Sequence, residues 1–296
     1  MSTIGFVGLG AMGSRIAGRL LDAGNELYGN NRTKAKAQPL IERGLIWRGT
    51  PREVAAAADV VFSMVTDDAA LETVTSGPDG ILAGLQEGKV YVDMSTVSPR
   101  ASRNVADQVR STGAQMLDAP VSGSIPQAES GTLAIMVGGD EQAFRKVEPL
   151  LQELGQAVTH VGENGQGLVL KLAINISLAV QILAFSEGLL LAERDGVDPK
   201  LAADVMSATP IGSPMLKARI PLLLDLPEQA WFDVAMMQKD IRLALEAAEA
   251  VDLPLPSAAA ADQMLTRARE LGYEHRDLAA LHDVLAKTPA AAVRDR

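Results

Sequence analysis

The chain has no cysteine in its 296 residues. Disulfides, thiolate nucleophiles and cysteine-bound metals are excluded, and cysteine usage leaves the redox compartment open. Basic residues are outnumbered: 27 Lys and Arg stand against 37 Asp and Glu, a formal net charge of −10. A nucleic-acid partner, which wants a basic face, is not expected. There are only three histidines, His160, His275 and His282. None lies in a motif that would make it a base. The pair His275 and His282 reads as solvated surface, so no metal is expected. Two common catalytic signatures are missing as well. Four residues beyond Tyr28, Tyr91 and Tyr273 stand Arg32, Ser95 and Asp277, so there is no Tyr-x-x-x-Lys. No Gly-x-Ser-x-Gly elbow occurs. The first strand pattern begins at Thr3, which leaves no room for a leader, and the cytoplasm is the expected location.

Apolar residues make up 47% of the chain, enough at this length for two domains with sizeable cores. Leu168 to Ala192 is long and mostly apolar, yet Lys171, Asn175, Gln181, Ser186 and Glu187 are spread along it. Two charges in a lipid-facing helix are costly, so no membrane is expected. A helix this apolar all round needs cover on every side. A second subunit supplies it, and a homodimer or homotetramer is expected.

In the first half, short apolar runs alternate with helical patterns. Strands are expected at Thr3–Val7, Glu26–Tyr28, Asp59–Val65, Lys89–Met94, Gln115–Ala119, Leu133–Val137 and Val158–Val161. Helices are expected at Met12–Ala23, Thr33–Glu42, Pro51–Ala57, Pro99–Ser111 and Glu141–Leu154. The alternation predicts a mostly parallel sheet with helices on both faces. Beyond Gly162 only helical patterns remain, punctuated by Asp198-Pro199, Thr209-Pro210, Leu226-Pro227 and Leu253-Pro-Leu-Pro256. The fold class is α/β: a Rossmann-like domain at 1–163, an all-helical domain at 164–290 joined by a long helix, and a tail at 291–296.

Gly8-Leu9-Gly10-Ala11-Met12-Gly13 follows a strand and opens a helix. In this context Gly-x-Gly-x-x-Gly is a dinucleotide fingerprint. Gly8 permits the tight turn, Gly10 lets a pyrophosphate approach the backbone, and Gly13 lets the helix pack closely. The helix N-terminus offers free N–H groups to the phosphates. Enzymes using NAD usually place an acid after the second strand, where this chain reads Asn30-Asn31-Arg32-Thr33. Arg32 is a planar cation suited to a 2′-phosphate, and Thr33 adds a hydroxyl. NADP(H) is therefore the expected cofactor, with NAD(H) as the alternative.

Lys171 and Asn175 stand four apart, one turn of helix, in an apolar segment. A cationic acid beside a neutral amide suits protonation of a substrate oxygen. With a nucleotide fingerprint in the same chain, the pair points to a nicotinamide-dependent dehydrogenase whose acid is a lysine. Ser122-Gly123 offers a hydroxyl and an approachable N–H to an anion.

Four blocks together resemble the β-hydroxyacid dehydrogenases, relatives of 3-hydroxyisobutyrate and 6-phosphogluconate dehydrogenases. They are Gly8 to Gly13; Asp118-Ala-Pro-Val-Ser122-Gly123-Ser124 with Gly131-Thr-Leu133; Gly165-x-Gly167-x-x-x-Lys171-x-x-x-Asn175; and Lys239-Asp240. The resemblance implies that Lys171 is the general acid/base and that Asn175 orients the substrate beside it. It implies that Ser122, Gly123 and Ser124 hold a substrate carboxylate, with Thr96 nearby. Met64, Val65, Thr66 and Thr96 would line the cofactor, and Lys239 would reach it from the helical domain. Ser124, where many members have glycine, and Asn31-Arg32-Thr33 are more similar to the NADPH-dependent glyoxylate and succinic semialdehyde reductases. Those place an aromatic and an aspartate at the substrate, which would be Phe232 and Asp240. The implied substrate is a small aldehyde acid of the glyoxylate, succinic or tartronic semialdehyde type. The alternatives are an NAD-dependent 3-hydroxyisobutyrate-type dehydrogenase, an imine reductase-like enzyme and a non-catalytic cofactor-binding scaffold.

Overall fold

The apolar runs of the first half fold as strands. In the computed structural model, which describes residues 3–289, they are β1 (Ile4–Val7), β2 (Leu27–Asn30), β3 (Ile46–Trp47), β4 (Val60–Ser63), β5 (Val90–Asp93), β6 (Gln115–Asp118), β7 (Val121–Ser122), β8 (Leu133–Gly139) and β9 (Gly155–Gly162). Among the described residues they form one nine-stranded sheet ordered β3-β2-β1-β4-β5-β6-β8-β7, with β9 paired to β8. Strands β1 to β6 are parallel throughout; β8 is antiparallel to β6 and β7 and parallel to β9. The order reverses direction between β1 and β4. The carboxyl ends of the strands at such a switch point are where sheets of this kind take ligands.

Helices α1 (Ala11–Asp22), α2 (Gln38–Glu42), α3 (Pro51–Ala57), α4 (Asp68–Thr75), α5 (Pro99–Ser111), α6 (Ile125–Ser130) and α7 (Glu141–Gln152) complete this half. Neighbouring strand residues enter opposite cores. Phe6, Phe62 and Val92 join one cluster; Val7, Val61 and Tyr91 join the other. Burial on both faces is why these strands read as continuous apolar runs rather than alternating ones.

Four elements leave no mark in the sequence pattern. Strands β3 and β7 have two residues each, too few for a period. Helix α4 is set by Asp67, whose carboxylate accepts Ala70 N at 2.8 Å. Helix α6 is short; Gln127 Oε1 accepts Ser124 N at 2.9 Å, and Gly131 ends it at φ +69°. The expected helix over 33–42 divides into a 3-10 turn, Lys34–Ala37, and α2, which Pro39 starts afresh.

The second half is helical: α8 (Gln166–Arg194), α9 (Pro199–Ala208), α10 (Pro214–Leu224), α11 (Val234–Glu249), α12 (Pro256–Glu270) and α13 (Leu281–Ala286). Proline sits at the start of α9, α10 and α12, where its missing N–H costs nothing. Asp198 and Asp233 cap α9 and α11 through Leu201 N and Met236 N at 2.8 and 2.7 Å. Gly196, at φ +94°, reverses the chain after α8. Ile182, Phe185, Met237, Ile241, Leu265 and Leu281 lie in the core of this half. Helix α8 is long and apolar enough to cross a bilayer, but Lys171 and Glu187 lie within it, and Ala179, Ile182 and Leu189 are wholly buried.

The chain divides into two compact units, Met1–Lys171 and Leu172–Arg296. The division falls eight residues later than the expected 163/164 boundary. The first turn of α8 is hydrogen-bonded into the sheet and belongs with it. The expected tail at 291–296 lies outside the described residues.

Candidate active site

In the first unit, the glycine loop between β1 and α1 is built for a close backbone approach. Gly8 has φ +93°, and a Cβ there would lie 2.3 Å from Met64 O. A Cβ on Gly13 would lie 2.1 Å from Gly8 O. Gly10 instead faces open space, with nothing within 4 Å of an added Cβ. It is also the N-cap of α1, and no side chain caps that end. The first N–H groups of α1 are therefore left for an anion. Leu9 N donates to Asn31 Oδ1 at 3.0 Å, and Asn31 Nδ2 donates to Thr33 O at 2.9 Å, tying the glycine loop to the turn after β2. Arg32 on that turn is exposed and makes no ion pair among the described residues. An open cradle and uncapped N–H groups fit a dinucleotide diphosphate.

Next to this loop, a buried polar chain sets the ends of β4 and β5. Asp93 Oδ1 accepts Ser63 Oγ and Ser95 Oγ, each at 2.6 Å. Ser95 Oγ in turn accepts Val65 N at 2.8 Å, and Ser63 pairs with the Tyr91 hydroxyl at 2.7 Å. Burial, then the charge of Asp93, pushes the Tyr91 hydroxyl well up. The chain holds Met64-Val65-Thr66 and Ser95-Thr96 at the carboxyl edge of the sheet, with Thr66 exposed and Thr96 half-buried.

Ser122 ends β7, half-buried, and its hydroxyl has no hydrogen-bond partner among the described residues. Gly123 is exposed at φ +134°, and a Cβ there would meet Leu133 Cδ2 at 2.8 Å. Ser124 N is already held by Gln127, so Ser124 serves the start of α6. Lys171, on α8, is buried with 9% of its surface exposed.

Unit two carries Asn175, 1% exposed, on the same helix face one turn on. Its Nδ2 donates to Asp240 Oδ2 at 2.6 Å, and Lys239 Nζ lies 2.9 Å from Asp240 Oδ1. Asn175, Lys239 and Asp240 are thus brought together as one group. Phe232 stands on the segment entering α11, held by a carboxylate that sequence reasoning missed. Asp277 is fully buried: its Oδ2 accepts Trp231 N and Phe232 N at 2.8 and 3.2 Å. Its Oδ1 accepts Arg219 NH1 at 2.8 Å and Ala279 N at 3.0 Å. Burial lowers the Arg219 pKa, opposed by Asp277. No local signal marks these two residues, which are 58 positions apart.

A second carboxylate, part of the Asp118-Ala-Pro-Val-Ser122 block but given no role by the sequence, lies in the first unit. Asp118 ends β6, wholly buried, and accepts Gly165 N at 2.7 Å and Leu168 N at 3.1 Å. Burial raises its pKa to about 6, against the pull of those two N–H groups. Among the described residues no group of His, Asp and Glu is arranged to hold a metal.

Residues 3–162 match the family described as the NAD binding domain of 6-phosphogluconate dehydrogenase. Residues 165–285 match that of the NAD-binding domain of NADP-dependent 3-hydroxyisobutyrate dehydrogenase. The chain is 37% identical to the chloroplastic glyoxylate/succinic semialdehyde reductase 2 of Arabidopsis thaliana, over 96% of this chain and 79% of that one. It is also 37% identical to 2-hydroxy-3-oxopropionate reductase of Escherichia coli (strain K12), over 95% and 96%. Mycobacterium tuberculosis 3-hydroxyisobutyrate dehydrogenase with L-serine is a structural neighbour. Its TM-score is 0.86 at 29% identity, covering 96% of this chain and 99% of that one.

The raised Asp118 pKa has a stability consequence. The folded protein takes up this proton near pH 6, the unfolded chain only near the ordinary 3.8. The group's contribution is thus largest below 3.8 and is lost as pH rises through about 6. Relative to Asp118→Asn, the protein should gain stability as pH falls from 6 to 4, by at most about 1.4 kcal/mol per pH unit. Urea denaturation of both proteins across that range measures the difference; a flat difference would contradict the assignment.

Proposed function

The chain belongs to the β-hydroxyacid dehydrogenase family, and we propose that it reduces a small aldehyde acid with NADPH, Lys171 supplying the proton. It is an NAD(P)-dependent oxidoreductase of hydroxy acids. The observation that carries the finer reading is the burial of Lys171 and Asn175 one turn apart on α8. The nicotinamide, when bound, supplies the hydride in reduction and receives it in oxidation. Lys171 Nζ donates a proton to the carbonyl oxygen as it becomes an alcohol, and takes it back in the reverse direction. Asp240 holds the Asn175 amide so that it orients the substrate oxygen. The Ser122 hydroxyl and the Gly123 N–H hold the carboxylate. Phe232 sets the apolar side of the substrate. The substrate class is that of glyoxylate and of succinic and tartronic semialdehydes, which the names of the relatives support.

NADPH preference rests on Arg32 and on the absence of an acid after β2. Gly8 to Gly13 would hold the diphosphate, Asn31 to Thr33 the adenosine side, and Met64 to Thr66 with Thr96 the nicotinamide side. Lys239 adds a cation from the helical unit. Assembly rests on unpartnered apolar surface. Leu191 on α8 is 75% exposed, and Leu201 and Val205 on α9 are 56% and 57% exposed. Ala173, Ser177 and Ala184 on α8 are exposed as well. A second copy of the chain would cover this surface.

Lys171→Ala should keep NADPH affinity and lower kcat by roughly 10²–10⁴, the usual worth of a positioned acid. Arginine at 171 should rescue little, because it keeps its proton. Turnover near that of the wild type would move the acid elsewhere. Titration of Arg32→Ala with both cofactors should show NADPH weakened roughly ten- to a hundredfold and NADH little changed. Equal weakening of the two would refute the 2′-phosphate contact. Light scattering at micromolar concentration should give a dimer or tetramer mass; a monomer would remove the assembly reading.

A further inference from the structure

Several helix starts elsewhere in the chain are capped locally, whereas that of α1 is left open. Asp67, Asp140, Asp198 and Asp233 each accept the N–H three residues ahead. Helix α8 is different. Its first turn is held by Asp118, 47 and 50 residues away in the chain, with one oxygen for Gly165 N and the other for Leu168 N. Asn164, just before the turn, adds a bond from Nδ2 to Met116 O on the same strand at 2.9 Å. Two glycines make room for this seat. A Cβ on Gly167 would lie 2.8 Å from Asp118 Oδ2 and 2.5 Å from Met136 O. A Cβ on Gly138, the residue paired with Asp118 across β6 and β8, would lie 2.7 Å from Asp118 Oδ1. Gly165 needs φ +87° to enter the turn. The Gly165-x-Gly167 spacing thus serves the seating of the helix.

The seat lies directly below Lys171. Gly167 and Leu168 precede it by four and three residues, on the same helix face. Asp118 also stands four residues before Ser122, joined through Ala119-Pro120-Val121. One buried carboxylate therefore ties the start of the lysine helix to the strand that leads to the anion loop. A helix end held by two backbone bonds to a fully buried acceptor cannot slide or fray without leaving that charge unpaired.

We propose that Asp118 is a positioning residue for the proton transfer, fixing the first turn of α8 and with it the reach of Lys171. It acts through Lys171 and touches neither substrate nor cofactor. The proposal rests on Lys171 being the acid. A displacement of about 1 Å at a reacting group costs up to roughly 10²-fold in rate, so Asp118→Asn should lower kcat about 10- to 100-fold. Asparagine keeps the size but turns one acceptor into a donor that meets an N–H head on. NADPH affinity should change by less than about threefold, because the glycine loop and Arg32 lie on other elements.

The test is a double-mutant cycle of Asp118→Asn, Lys171→Ala and the pair, measuring kcat and the NADPH dissociation constant on each. A pair no slower than Lys171→Ala alone supports the proposal, since a positioning residue has nothing left to position. Multiplied losses, or unchanged kcat in Asp118→Asn, overturn it while leaving the acid in place. Loss of NADPH binding parallel to kcat also overturns it, as the residue would then be holding up the whole unit. Near wild-type turnover in Lys171→Ala sinks the acid reading itself and is seen in its own arm. Hydrogen exchange on the wild-type protein is independent of whether the variants fold. The Gly165 and Leu168 amides should exchange as slowly as the sheet core, and rapid exchange there removes the seat.

Discussion

A long helix must begin somewhere, and its first N–H groups need acceptors. In α8 that demand is met by Asp118, a carboxylate buried at the end of a strand. Burial disfavours the ionised carboxylate and raises its pKa to about 6. Two N–H bonds and the positive end of the helix offset part of that cost. The balance places a polar group where an apolar one would pack more easily, and in return the helix start has one position. Gly138 and Gly167 follow from the same constraint, because larger residues would fill the space the carboxylate needs, and Gly165 follows from the left-handed turn at φ +87° that opens the helix.

Buried carboxylates hold several other loops and strand ends. Asp93 gathers Ser63 and Ser95 and so sets the ends of β4 and β5. Asp277 gathers Arg219 and the N–H groups of Trp231, Phe232 and Ala279. Asp240 gathers Asn175 and Lys239. The ion pairs of Asp277 and Asp240 are not strong evidence for stability, since desolvating an ion pair costs about as much as the pairing returns. Their common effect is geometric. Each makes an alternative arrangement expensive by leaving a buried charge without its partners.

The nucleotide half works by the opposite device, the removal of side chains. Gly8 and Gly13 let backbone pass within reach of backbone, and Gly10 leaves the mouth of α1 open. Where the fold needs an empty space the chain has glycine, and where it needs a fixed group it has a buried acid. Arg32, on the turn after β2, instead keeps its charge in solvent.

Much of this could be read along the chain. Parallel strands buried on both faces produce apolar runs, and prolines at helix starts produce breaks, so the β/α half, the helical half and the starts of α9 and α12 are visible in order. The glycine loop before α1 and the shared helix face of Lys171 and Asn175 are legible for the same reason, since each is set within one or two turns of chain. Strands β3 and β7 were not legible, being too short to show a period. Nor were the roles of Asp118, Asp277 and Asp93, because a carboxylate looks alike in sequence whether it is solvated or buried among N–H groups. Local chemistry determined which elements form and which half of the chain binds a nucleotide. Only the tertiary structure decided which acid holds which loop, because those partners lie 47 residues apart in one case and 58 in another. No periodicity or spacing rule reaches that far.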